Sequence, residues 1–194
     1  MARLKPCPNY KTSELRSSGR CRFPVGDESS AGAAPSNGDV VRGRGVQMAS
    51  AAELLEDEIA RWPGVSVASH RFGGREFRLG KAEIGHVHLW GDVDIPFTRE
   101  LRDELIAEGM ARVHRWLPDS GWITFHMSGD HGVERAVWLM RLSYIRYRLK
   151  ASQHPGQDLE EEAERMRLNP KLVALLKRFV PADRAMPRIG AQVN

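Results

Sequence analysis

Glu83-Ile-Gly-His-Val-His-Leu-Trp-Gly-Asp-Val-Asp94 is the stretch on which the reading of the whole chain turns. As a strand it alternates sides, which puts Ile84, His86, His88 and Trp90 on one face. Two imidazoles two residues apart reach a common ion or substrate. Asp92 or Asp94 joins them if the strand runs on past Gly91. Upstream, Val65 to His70 alternates in the same way, Phe72-Gly-Gly-Arg75 is a turn, and Glu76 to Leu79 is a second short strand. Ahead of these, Leu54, Leu55, Ile59 and Trp62 mark one face of a helix, capped by Ser50 with Glu53 three residues on and stopped at Pro63-Gly64.

Downstream, Thr98 caps a helix from Arg99 to Glu108, and Leu101 stands where a full capping box needs Glu or Gln. Ala111–Trp116 and Trp122–Met127 read as a hairpin around Pro118-Asp-Ser-Gly121. A long amphipathic helix follows from Gly132 to about Leu149. His154-Pro-Gly156 reads as a linker, and two shorter helices follow, the second capped by Asn169 with Pro170 at its first position. The order is α-β-β-β(-β)-α-β-β-α plus a helical appendage. Short turns between consecutive strands predict the α+β class, an antiparallel sheet with helices packed on one face. The expected organisation is a disordered extension over 1–47, a domain over 48–150, an appendage over 151–180 and a tail over 181–194.

Charge sharpens the first boundary. The chain carries 29 basic and 25 acidic residues, and residues 1–47 hold eight of the former and four of the latter. The excess of +4 therefore lies wholly in the Ser-, Gly- and Arg-rich extension, and the remainder is neutral. A neutral domain argues against a nucleic-acid partner, because phosphate binding needs clustered positive charge. Cys7 and Cys21 both fall in the extension, so neither a disulfide framework nor a cysteine-ligated zinc site is expected in the domain. Met48 reads as a natural start. With no apolar signal segment, a cytoplasmic protein without a membrane span is expected.

Among other polar residues, His70 and Arg71 sit beside a Gly-Gly turn at the edge of the same cleft, where turn-flanking polar residues are usually solvated. His114 and Arg115 suit cross-strand pairing. Trp122 reads first as core, since large aromatics are mostly buried. Arg141, Arg146 and Arg148 with Tyr144 and Tyr147 form a basic-aromatic stripe that reads as a solvated helix face. No phosphate loop, nucleophile elbow or helical His-Glu-x-x-His is present. The His-x-His spacing is also similar to the first cupin motif, but Asp stands in place of its Glu and the second motif is missing.

Glu83-Ile-Gly-His-Val-His88, then Asp92, Arg112-Val-His114 and Trp122-Ile-Thr-Phe125 together resemble the fungal luciferase family and its bacterial relatives. The resemblance implies an enzyme that adds O2 to a 3-hydroxy-α-pyrone, forms a cyclic peroxide and releases CO2. It implies roles for Glu83, His86, His88, Asp92, His114 and Trp122. The expectation is therefore an O2-using oxygenase for a small enolic or phenolic substrate. Catalysis is placed on His86, His88, Glu83 and His114, with substrate contacts from Arg71, Trp90, Asp92, Asp94 and Trp122. O2 is the expected co-substrate, and a divalent metal, on His86, His88 and Asp92, is a further expectation. The order of elements also resembles the MmcQ/YjbR family, which implies the alternative of a non-catalytic ligand- or nucleic-acid-binding module.

Overall fold

The computed structural model describes residues 50–182; the expected disordered extension over 1–47 and most of the tail lie outside the described residues. The protein is α+β. Helix α1 (Ala51–Ile59) is followed by β1 (Val65–Ser69), β2 (Arg75–Leu79), β3 (Ala82–Val87) and β4 (Asp92–Pro96). Then come α2 (Arg99–Ala107), β5 (Arg112–Val113), β6 (Trp122–His126), α3 (Gly132–Ala151), α4 (Pro155–Met166) and α5 (Pro170–Lys177). The six strands form one antiparallel sheet in the order β1-β2-β3-β4-β6-β5.

Local chemistry fixes the helix ends. Ser50 and Glu53 make the reciprocal capping box, Thr98 accepts from the backbone N–H of Leu101, and Asn169 accepts from that of Leu172. Pro155 opens α4 instead of lying in a linker, because a proline at the first helical turn has no hydrogen bond to lose. Within α1, Leu55 and Ile59 are buried, whereas Leu54 is 48% exposed.

The sheet has two unlike faces. Phe77, Val87, Val93, Ile95, Ile123 and Phe125 point to the helices and are buried with Leu101, Leu105, Leu139, Met140 and Leu142. Helices α4 and α5 add Leu159, Met166, Leu172 and Leu176 to this core. Tyr144, in the expected solvated stripe, is fully buried and donates to the carbonyl of Pro63 at 2.9 Å. The other face is polar. One row across it runs Glu76, His86, Asp94, Thr124 and Arg112, each a register partner of the next.

A bulge in β3 sets which residues reach which face. Arg78 pairs with Glu83, but Phe77 pairs with Gly85, so Ile84 is an extra residue. The added residue reverses the alternation. Glu83 therefore shares the polar face with His86, while Ile84 is fully buried in the core. The expected sharing of one face by Ile84 and His86 fails for this reason. Gly85 makes the bulge feasible: its φ is +149°, and a Cβ there would lie 2.6 Å from Met140 Sδ and 3.0 Å from the carbonyl of Asp94.

Gly85→Ala should accordingly destabilise the protein by about 1–3 kcal/mol, through strain and overpacking together. The urea midpoint measures this, and an unchanged midpoint would show that the bulge tolerates a side chain.

Candidate functional site

The polar face gathers four histidines, three of them against one carboxylate. Strand β3 supplies His86 and carries His88 just beyond its end, and β4 supplies Asp94. His114 follows β5, and His70 follows β1 at the turn that leads into β2. Gly74 brings that turn close. A Cβ there would collide at 1.9 Å with the carbonyl of Val87, so only glycine lets the β1–β2 turn press against the end of β3. His70, His86, His88, His114 and Asp94 are each no more than 9% exposed.

Asp94 is the hub. Its Oδ2 lies 3.1 Å from His88 Nε2, 3.3 Å from His86 Nε2 and 3.4 Å from His114 Nε2. Its Oδ1 accepts from the Thr124 hydroxyl at 2.5 Å. Burial opposes the charge on Asp94, but hydrogen bonds from His86, Thr124 and His88 and the His114 ring outweigh it and hold its carboxyl well below the usual range.

The imidazoles have different partners and hence different chemistry. His114 Nδ1 accepts from the backbone N–H groups of Trp116 and Leu117, both at 3.1 Å, so its proton sits on Nε2 and faces Asp94. His86 lies between two carboxylates, with Nδ1 2.6 Å from Glu83 Oε1 and Nε2 against Asp94. Burial alone would favour neutral His86. The bonds to Asp94 and Glu83 prevail and raise its pKa from 6.5 to about 9, so it is a cation at neutral pH. His70 is shifted the other way: burial lowers its pKa, and the His86 and His88 rings beside it lower it further. Its ring stacks on His86 at 3.9 Å with only 13° between planes. Nδ1 of His70 and Nδ1 of His88 are buried without a hydrogen-bond partner.

Aromatic side chains wall the cluster. Trp122 is half-buried rather than in the core, its ring 5.6 Å from His86 and 5.9 Å from His114. Trp90 stacks on His88 at 4.3 Å while remaining 60% exposed. Phe72 meets the His70 ring edge-on at 5.6 Å.

Of the residues singled out from sequence, the structure brings together His86, His88, His114, Glu83, Asp94, Trp90 and Trp122. Asp92 and Arg71 stand apart. Asp92 pairs with His126 at 2.8 Å and accepts from Trp90 Nε1 at 2.9 Å. Arg71 is exposed over the Phe72 ring. Thr124 is the member that the sequence did not mark, and His70 was read only as a turn residue at the edge of the cleft. Thr124 was within reach of the pattern, since Trp122 and Thr124 alternate against the apolar Ile123 and Phe125.

The histidines also test the expected metal. Ligating atoms of His70, His86 and His88 lie within 4.8 Å of one another. The near-parallel rings of His70 and His86, however, cannot both aim in-plane lone pairs at a single ion. Both nitrogens of His86 face carboxylates, and Asp92 is occupied elsewhere. The set fits proton exchange better than metal ligation.

Stability should follow the two shifted groups. The contribution of His86 is complete below pH 6.5 and is lost as pH rises through about 9. That of Asp94 is complete above pH 3.8 and is lost as pH falls. Thermal melts across pH should thus show a plateau with both limbs falling, and His86→Gln should flatten the alkaline limb. His114→Ala, which strands two backbone N–H groups, should cost about 1–3 kcal/mol. His126→Ala, at an exposed position, should stay within about 0.5 kcal/mol. Equal losses for the two variants would remove His114 from its structural role.

No curated protein and no solved structure matches the chain. Residues 81–143, about a third of the chain, match the family model described as Luciferase domain. That span holds His86, His88, Asp94, His114, Trp122 and Thr124, and over it the chain is luciferase-like.

Proposed function

We propose that this luciferase-like protein is an oxygenase that uses O2 on a small enolic or phenolic substrate of the α-pyrone kind. The observation that carries the reading is a pair of stacked imidazoles pushed to opposite charge states. His70 is shifted toward the neutral form, with a buried and unpartnered Nδ1, and His86 is held as a cation by Glu83 and Asp94. Two titratable groups driven apart by their surroundings are the mark of a base beside a charge stabiliser.

In this reading the enol proton passes to Nδ1 of His70, and the resulting enolate lies against the His86 imidazolium. The enolate is its own reductant. It gives one electron to O2, and recombination of the pair forms a C–O bond and leaves a peroxide anion. The proton on His70 returns to that anion, so substrate and O2 sum to a hydroperoxide with no other oxidant or reductant. Nδ1 of His88 accepts a second substrate hydroxyl, Asp94 and His114 keep the cluster in register, and the Trp90 and Trp122 rings shelter the intermediate from water. By resemblance to the fungal enzymes, the peroxide would close on a neighbouring carbonyl and lose CO2. The reading needs no metal, since the substrate itself supplies the electrons.

The alternative of a nucleic-acid-binding module is not favoured, because the polar face centres on a buried acid–imidazole cluster rather than on clustered positive charge. The test is O2 uptake with a 3-hydroxy-α-pyrone by protein whose bound metal has been assayed. Uptake should be unaffected by chelator. His70→Gln and His86→Gln should each lower kcat by roughly 100-fold or more, as loss of an acid–base group does. Rate against pH should rise on an acid limb below 6.5, where His70 gives up its proton, and fall near pH 9, where His86 gives up its own. Chelator-sensitive turnover, or full activity in His70→Gln, would defeat the proposal.

A further inference from the structure

Arg146 lies on α3, on the helix side of the sheet and away from the histidine cluster. It is only 6% exposed, and its Nε is buried without a hydrogen-bond partner. Three rings surround the guanidinium: Tyr147 at 4.4 Å, Phe97 at 5.7 Å and Phe179 at 5.9 Å from Cζ. Among the described residues no carboxylate pairs with it.

The same helix shows how this fold completes a guanidinium set among rings. Arg141 lies over Trp62 and Tyr144, and Glu162 on α4 closes on it at 2.5 Å and 3.3 Å through two nitrogens. Arg148, on the same helix, pairs with Asp158. Arg146 has the rings and lacks the acid. Stacking on aromatic faces does not offset the burial of an unpaired charge, which the interior tolerates only when an anion answers it. Burial accordingly pushes the Arg146 guanidinium below its ordinary range.

Lys150, one helical turn on, places Nζ 5.4 Å from the Phe179 ring and 5.8 Å from the Tyr147 ring, and it too has no carboxylate partner among the described residues. The acids at the α2–α5 contact are taken: Glu100 pairs with Arg178 and Glu104 with Lys171. Two cations thus flank the Phe179 ring with donors to spare. A planar guanidinium presents paired N–H groups that match two oxygens of a tetrahedral oxyanion, and the ammonium serves as a second point charge.

We propose that Arg146 and Lys150, framed by Phe97, Tyr147 and Phe179, form a binding site for a phosphate-type oxyanion. The site is independent of the oxygenase reading and lies on the opposite side of the sheet. An organic phosphate with a flat apolar body would also use the rings of Phe179 and Tyr147.

The test is calorimetric titration and thermal melting of the full chain with inorganic phosphate and with phenyl phosphate, at ionic strength matched by chloride. Phosphate should give a saturable rise in Tm and a measurable Kd. Arg146→Met, which keeps the apolar volume, should abolish both, and Lys150→Gln should weaken Kd by roughly tenfold, as loss of one charge-assisted contact does. Tighter binding of phenyl phosphate assigns the site to an organic phosphate, and equal binding assigns it to the free ion. A Tm rise that grows linearly without saturating, or one retained in Arg146→Met, would overturn the proposal. If Arg146→Met does not fold, Lys150→Gln decides: an unchanged Kd there overturns the site equally.

Discussion

A carboxylate buried in the middle of a sheet face has to be answered, and the answer to Asp94 organises the functional half of this protein. Its oxygens meet three imidazole nitrogens and one hydroxyl, drawn from β3, β6 and the segment after β5. The partners come from three separate parts of the chain, so the carboxylate fixes the relative setting of strands as well as the charge of the rings. His114 shows the coupling most directly. Two backbone N–H groups of the following loop oblige its Nδ1 to accept, which obliges its Nε2 to donate toward Asp94. The loop conformation therefore reaches the electrostatics of the site through one tautomer.

The bulge at Ile84 serves the same end. Without the extra residue, Glu83 would face the helices, where a carboxylate has no partner, and Ile84 would face the polar cluster. With it, Glu83 meets His86 and Ile84 fills the core, so one irregularity satisfies both faces of the sheet. His86 then sits between two carboxylates and remains charged, and that charge in turn discourages protonation of the stacked His70.

Much of this was legible in the sequence, and the remainder had definite physical reasons to be hidden. Strand alternation placed His86 and His88 on one side, and the caps at Ser50, Thr98 and Asn169 are local enough to be read residue by residue. Parity through Gly85 was not legible, because a single glycine in a strand does not announce whether a bulge is present. The choice between Asp92 and Asp94 depends on the bend at Gly91: Asp94 pairs across to His86 in register, while Asp92 turns to His126. His70 was hidden by its place beside a turn, since its position depends on the close approach that Gly74 permits. The basic stripe on α3 was read as solvated because nothing in its own sequence shows that α4 folds back over it. Arg141 is partly buried between Trp62 and Glu162 of α4, and Arg146 is buried among Phe97, Tyr147 and Phe179.

The two faces of the sheet divide the work. The helix side carries the apolar cluster that runs from Leu55 to Leu176 and supplies the hydrophobic burial that folds the domain. The polar side is thereby released from packing duty and can hold unpartnered imidazole nitrogens, which would be a liability in a core that had to be both stable and saturated. An unmet nitrogen at His70 or His88 is tolerable because the burial that folds the domain is supplied on the other side of the sheet. This is why the alternation in β3, β4 and β6 matters so much. It places a polar row and an apolar row within a single backbone, so that the strands that form the core also hold the site.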